Sequence, residues 1–475
     1  MEKTLRRLGR NLRWLIASEA AGRIVGFFTT AIIARRFGLE QFGLFTLTLA
    51  FAEAFQQVVG LSSQEVIVRR TAGHPDRLGP VLSGMLAVQA CAAVVSLMIA
   101  AAIGFAYGGD LVWMIPIGAW IGATRGTTGS FLAASASRDD FRPASLNAIW
   151  RRFALVAALL VFLFVQANIF LFWLVYAIAE VAVTLVAIYT VHRFGDLDIR
   201  RFSSRQEITS LLREGLSFSA LRWSGLLHSR LDIVLIERFL GREAVGIYGA
   251  AYRLLDVFKL LPNLAETTLL PIVTRLLGRR AELVESMERS IKALATLSIP
   301  LGVGAWIVAD LAVRLVFGDA YAGAAYPWAL LMASLAVSSI ARPALVLLRA
   351  QGRLRVANAA SWIAVAINLL LNLLWIPRFG ILGSAAATAA SEVAFVLYSA
   401  WLVRNDVVWF RVMRGLIPSV IAASAMAVTG WGLSQLNLPT LVIALAAALA
   451  YCAVLVVARG LDQRDRDGIR MLIQG

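Results

Sequence analysis

The chain has 475 residues, 59% of them hydrophobic, with a formal net charge of +16 and a mean hydropathy of +0.75. A soluble domain is nearer half apolar, and apolar runs of about 20 residues recur from end to end, which excludes a soluble globular class. A porin-like barrel, with its alternating ~10-residue segments, is excluded as well, and basic residues gathered between apolar runs are topology signals rather than a nucleic-acid surface.

The sequence thus predicts an all-α polytopic membrane protein of about fourteen transmembrane helices. The first span covers 14–35, behind a basic N-terminal stretch read as part of a retained first helix. The next five cover 42–67, 80–106, 111–136, 143–165 and 168–192. A hydrophilic connection follows, and spans then cover 214–237, 244–274, 290–312, 323–348, 357–376 and 381–403. A last pair lies at 414–435 and 438–458.

The connections alternate in charge. One set holds most of the arginines, in groups such as Arg69, Arg70 and Arg77 or Arg349, Arg353 and Arg355. The other holds only Arg35, Arg36, Arg238, Arg242, Arg314 and Arg378. The positive-inside rule places the first set and both termini in the cytoplasm.

The chain also repeats itself. Gly43–Phe55 matches Gly246–Phe258 without a gap, pairing Gly43 with Gly246 and Glu53 with Asp256. Further on, Trp150 pairs with Trp362 and Glu180 with Glu392 at one offset. Two six-helix halves of like orientation follow, related by an axis along the membrane normal. The expected division is an N-lobe over 1–192, a cytoplasmic linker over 193–213, a C-lobe over 214–405, and a C-terminal helix pair with its tail over 406–475.

Cys91 and Cys452 lie far apart inside apolar runs, so neither a disulfide nor a thiolate metal site is expected. His74, His192 and His228 share no ligand spacing, and no HExxH, P-loop, GxSxG or CxxC pattern occurs. The reading is a transporter, not an enzyme, with no cofactor and no metal.

Charges inside the spans carry the functional signal. An ionised side chain at mid-membrane costs about 2.5–3.5 kcal/mol on insertion scales, and such residues face a wet cavity or one another. Basic candidates are Arg23, Arg125, Arg222, Arg230, Arg253, Lys259 and Arg342, with Arg151 and Arg152 placed to snorkel. Acids in spans are Glu19, Glu53, Glu180, Asp232, Asp256, Glu266 and Glu392. Glu19 and Arg23 have the spacing of an internal pair. For Arg253, Asp256 and Lys259, a local network and ligand contact both stay open. Arg125 and Arg342 have no same-helix acid nearby and are the foremost candidates for a cavity. Asn368 and Asn372, one turn apart, are expected to bridge helices. A modest basic excess suits an anion, since guanidinium binds phosphate bidentately and stays charged when poorly hydrated.

Arg230–Leu254, RLDIVLIERFLGREAVGIYGAAYRL, together with Leu347–Glu392, resembles the Wzx-type polysaccharide flippases of the multidrug/oligosaccharidyl-lipid/polysaccharide superfamily. The resemblance covers most of residues 10–405. It implies a V-shaped, two-lobe transporter with a central cationic cavity, in the bacterial cytoplasmic membrane. The implied substrate is an undecaprenyl-pyrophosphate-linked glycan, moved from the cytoplasmic to the periplasmic leaflet by alternating access beside polysaccharide assembly machinery and membrane lipids. Asp232, Asp256 or Glu53 would couple H+ or Na+. Many such flippases have twelve helices. The extra pair at 414–458 is shared with the peptidoglycan lipid II flippases, so lipid II stays open as substrate. A cation-coupled multidrug exporter is the second alternative.

Overall fold

The computed structural model describes residues 2–71, 73–138, 140–165, 168–194, 204–436 and 438–458; the side chains of 2–21, Arg23, Pro75, Leu221 and Leu261 lie outside the described residues. The described chain is helical throughout, joined by short turns. Among the described residues, nine helical stretches are long and apolar enough to cross a membrane. Two of them, Ile24–Thr71 and Leu354–Leu402, run 48 and 49 residues, about twice what a bilayer needs. Each contains a glycine at positive φ, Gly38 (φ 77°) and Gly380 (φ 62°), a backbone state that only glycine adopts at little cost. Each therefore accounts for two predicted spans. The predicted spans at 111–136, 214–237 and 244–274 are helical but not among the nine. The last two carry embedded charges.

The chain divides into two compact units. The first holds residues 1–237 and 241–246. Its helices are α1 (Glu2–Gly60), α2 (Ser63–Thr71), α3 (Leu78–Tyr107), α4 (Leu111–Ala136), α5 (Arg142–Val165), α6 (Ile169–Phe194) and most of α7 (Arg205–Leu240). In α4, Gly118, Gly122 and Gly126 recur every fourth residue along one edge. A Cβ at Gly118 would meet Thr48 O at 2.8 Å, one at Gly122 would strike Ala52 O, and one at Gly126 would meet Gly60 N at 2.8 Å. The stripe lets α4 lie backbone to backbone on α1, which is how apolar helices associate where lipid removes the hydrophobic drive. Gly43 and Gly246 make a second close approach. A Cβ on Gly43 would strike the Arg242 carbonyl oxygen, and one on Gly246 that of Leu39. These two glycines are partners in the internal repeat, and they touch.

Helix α7 is held to α1 and α2 by an antiparallel series of polar contacts. Glu214 meets Arg69 and Arg70 at 2.8 Å each. Ser219 Oγ donates to Ser62 Oγ at 3.2 Å, and Trp223 Nε1 donates to Gln57 O at 3.3 Å. Arg222 pairs with Glu65, and Arg230 grips both oxygens of Glu53 at 2.6 and 3.3 Å. Compactness thus divides the chain near Glu237–Gly246, whereas the repeat divides it at 193–213.

The second unit holds residues 238–240 and 247–475. It contains most of α8 (Arg242–Phe258), then α9 (Leu260–Leu276), α10 (Arg280–Phe317), α11 (Ala325–Ala350), α12 (Leu354–Leu402), α13 (Trp409–Ser434) and α14 (Thr440–Val457). The sequence reads 244–274 as one span, but the helix breaks at Lys259. Pro262 is the reason: it has no N–H to donate to Phe258 O, and its ring crowds that carbonyl. Around the Gly380 kink, Asn372 Nδ2 donates to Asn368 Oδ1 at 3.0 Å, Ser384 Oγ to Asn372 Oδ1 at 2.7 Å, and Asn368 Nδ2 to Ser391 Oγ at 3.3 Å. The expected bridging by Asn368 and Asn372 is therefore present, between the two limbs of α12. The C-terminal pair docks on α10. Tyr451 Oη donates to Thr296 O at 2.7 Å, and Thr296 and Ser419 share a hydrogen bond at 2.8 Å. The outward face of α14 exposes Leu441, Leu445, Leu449 and Val457, as expected of a lipid-facing helix.

Candidate functional site: two arginine–glutamate clusters

In the first unit, Glu180 of α6 sits with no exposed surface between two arginines from other helices. Arg125 of α4 donates through Nε to Glu180 Oε1 at 2.8 Å and through Nη2 to Tyr176 Oη at 2.5 Å. Its guanidinium also lies 5.5 Å from the centre of the Tyr176 ring. Arg151 of α5 donates through Nε to Glu180 Oε2 at 3.2 Å. One turn on, Thr128 and Thr184 share a hydrogen bond at 2.8 Å, fixing the α4–α6 register. Two cations thus bracket one carboxylate, and Arg125 has an acceptor for two of its three nitrogens.

The second unit holds a cluster of the same composition. Glu266 of α9 faces two arginines of α11. Arg342 Nη1 is 3.4 Å from Glu266 Oε2, and Arg349 Nη1 bonds Glu266 Oε1. The three side chains keep 20–28% of their surface exposed. Among the described residues, the Nε atoms of Arg342 and Arg349 are buried without an acceptor.

The other sequence candidates fall elsewhere. Arg230 is held by Glu53, and Arg222 by Glu65, both within the α7 series. Arg253 and Lys259 share Asp256, at 3.5 and 2.9 Å, and Lys259 Nζ lies 5.0 Å from the centre of the Tyr252 ring. Asp232 is fully buried, and its Oδ1 accepts the Ile233 N–H at 2.9 Å. The Arg23 side chain lies outside the described residues. The structure therefore gathers Arg125 with Arg151, and Arg342 with Arg349, each around a shared acid. Sequence reasoning passed over Arg349 as a loop charge and Arg151 as a snorkelling one. Residues 342 and 349 are seven apart, two helical turns on one face, and that spacing was available as a signal.

Against this geometry, the comparisons with known proteins agree on one class. The family model described as polysaccharide biosynthesis protein matches residues 8–277. The Probable low-salt glycan biosynthesis flippase Agl15 of Haloferax volcanii is 30% identical over 38% of each chain. The teichuronic acid biosynthesis protein TuaB of Bacillus subtilis is 33% identical over 24% of each chain. These matches take in well under two thirds of either relative. Among solved structures, an inward closed conformation of the lipid II flippase MurJ superposes with a TM-score of 0.72, covering 93% of this chain and 97% of that one at 14% identity. That likeness shows a shared fold.

Proposed function

Because this chain belongs to the polysaccharide biosynthesis protein family, we propose that it is a flippase of the multidrug/oligosaccharidyl-lipid/polysaccharide superfamily and moves a polyprenyl-pyrophosphate-linked oligosaccharide from the cytoplasmic to the periplasmic leaflet. The proposed route is alternating access, with no bond made or broken. The observation that carries the reading is the two-to-one excess of guanidinium over carboxylate in both embedded clusters, Arg125–Glu180–Arg151 and Arg342–Glu266–Arg349. Each cluster keeps about one unit of positive charge within apolar helices. An anionic headgroup offsets that charge, whereas a lipophilic cation would be repelled by it, which disfavours the multidrug-exporter alternative. Arginine suits the role, because its planar fork matches phosphate oxygens in pairs. Glu53, Asp232 and Asp256 are the acids proposed to couple H+ or Na+ to the cycle.

The test is removal of the gene from its host. Surface glycan should disappear, the lipid-linked oligosaccharide should accumulate in the cytoplasmic leaflet, and the gene supplied in trans should restore both. Normal surface glycan in the deletion strain, with no accumulated intermediate, would overturn the proposal. Arrest of peptidoglycan synthesis instead would move the substrate to lipid II.

A further inference from the structure

The two clusters have the same composition but differ in how far their donors are used. Each guanidinium offers five N–H groups, and a carboxylate accepts at about four lone-pair positions. In the first unit the arrangement is closed. Arg125 and Arg151 both spend Nε on Glu180, Tyr176 takes another donor, and Glu180 is wholly buried. In the second unit it is open. The Arg342–Glu266 contact is long at 3.4 Å, the Nε of both arginines is buried with no acceptor among the described residues, and all three side chains keep some exposed surface. A buried donor without an acceptor carries a desolvation penalty that a suitable ligand removes.

We infer that Arg342 and Arg349 form a binding site for a phosphate-class anion, and that Glu266 is its internal occupant, displaced when the anion arrives. The inference rests on the flippase reading and deepens it by naming a headgroup site and what competes for it. A phosphate or pyrophosphate group carries more charge than a carboxylate and more acceptor oxygens. It can engage both forks, including the Nε donors that Glu266 leaves unused. Glu266 has a second effect. As a tethered anion at high local concentration it lowers the affinity of the site for any incoming anion, which favours release. Two sources of the anion share this chemistry: the pyrophosphate of a polyprenyl carrier, and the headgroup of an ordinary anionic phospholipid.

The experiment uses the purified full-length protein in nanodiscs of phosphatidylcholine, titrated with inorganic pyrophosphate and read by calorimetry. Pyrophosphate should bind the native protein. Glu266→Gln should bind it roughly 10-fold more tightly, and Arg342→Gln and Arg349→Gln should each bind roughly 10-fold more weakly, a change of about 1.4 kcal/mol. An ion pair that is only structural gives a different pattern, with Glu266→Gln no tighter than the native protein. That result, or arginine variants that bind as the native protein does, overturns the inference. Should Glu266→Gln fail to fold, Arg349→Gln and Arg349→Lys decide, since lysine keeps the charge without the fork and should restore binding in part. Competition by phosphatidylglycerol in the disc assigns the site to ordinary headgroups. Competition by polyprenyl pyrophosphate alone assigns it to the carrier. Either result retains the anion site. Binding is read without transport, so absent binding with glycan export intact sinks this site alone. Binding in a protein whose deletion leaves the glycan unchanged sinks the flippase reading alone.

Discussion

At the scale of single residues, Arg125 shows what burial does to a functional assignment. A deep arginine without a same-helix acid reads as a ligand for something outside the chain. Its acceptors are instead Glu180 and Tyr176, 55 and 51 positions away, and no spacing rule reaches that far. Removing one partner of such a pair leaves a charge in apolar surroundings, which costs about 3–5 kcal/mol, while replacing the whole pair with apolar groups is often close to neutral. Arg125→Ala should therefore lower thermal stability in detergent, since it leaves Glu180 with Arg151 alone. Glu180→Ala should lower it too, and the double variant should lose less than the sum of the two. A double-mutant cycle on melting temperature measures this coupling; additive losses would mean that the pair is not a unit. Arg342 is the opposite case. The sequence singled it out, and its partly exposed, under-used cluster keeps it a candidate for binding, although its partners Glu266 and Arg349 were not read with it.

At the scale of elements, most helix ends were legible and the reasons for close packing were not. Gly38 and Gly380 fall in short connections between predicted spans, because a chain that turns sharply between apolar runs needs a positive φ there. The break at Lys259 was missed because the apolar pattern runs across Pro262. The polar series along α7 was hidden for another reason: Glu214, Arg222 and Arg230 find their partners on α1 and α2, more than 140 positions earlier. The Gly118–Gly122–Gly126 stripe could have been read as a packing edge, since small residues every fourth position mark one. Its consequence can be measured. Gly122→Leu places a side chain against Ala52 O and Gln56 N, backbone atoms that cannot rotate away. Overpacking of this kind costs typically about 1–3 kcal/mol, occasionally more, so the variant should melt earlier and accumulate less in membranes. Gly225→Leu is the control. It sits on α7, and a Cβ there meets nothing within 4 Å. Leucine for glycine favours a helix, so equal losses in both variants would show that the α1–α4 contact does not set the effect.

At the scale of the whole molecule, the arginine pattern and the helix pattern constrain each other. The kinks at Gly38 and Gly380 fall beside Arg35, Arg36 and Arg378, the sparse set of connections. So do the turns at Gly241 and Gly318, beside Arg242 and Arg314. The connections around residues 72–77, 137–142, 277–280, 350–354 and 403–408 carry the dense set. A helix inserts with its arginine-rich flank on the cytoplasmic side because translocating several arginines is costly, and short connections obey this rule best. Every passage through the membrane must then alternate between the two sets, and a span wrongly counted would reverse all connections after it. Reporter fusions after residues 75, 140, 203, 282, 353 and 408 are expected to read cytoplasmic, and fusions after 109, 241 and 318 periplasmic. The fusion after 282 is the most informative. It follows the broken α8–α9 stretch, two helices of 17 residues each that are not among the nine apolar spans. If that stretch fails to cross, residues 282, 353 and 408 invert together while those before 241 stay as predicted. Two or more of the six arginine-rich positions reading periplasmic would overturn the topology.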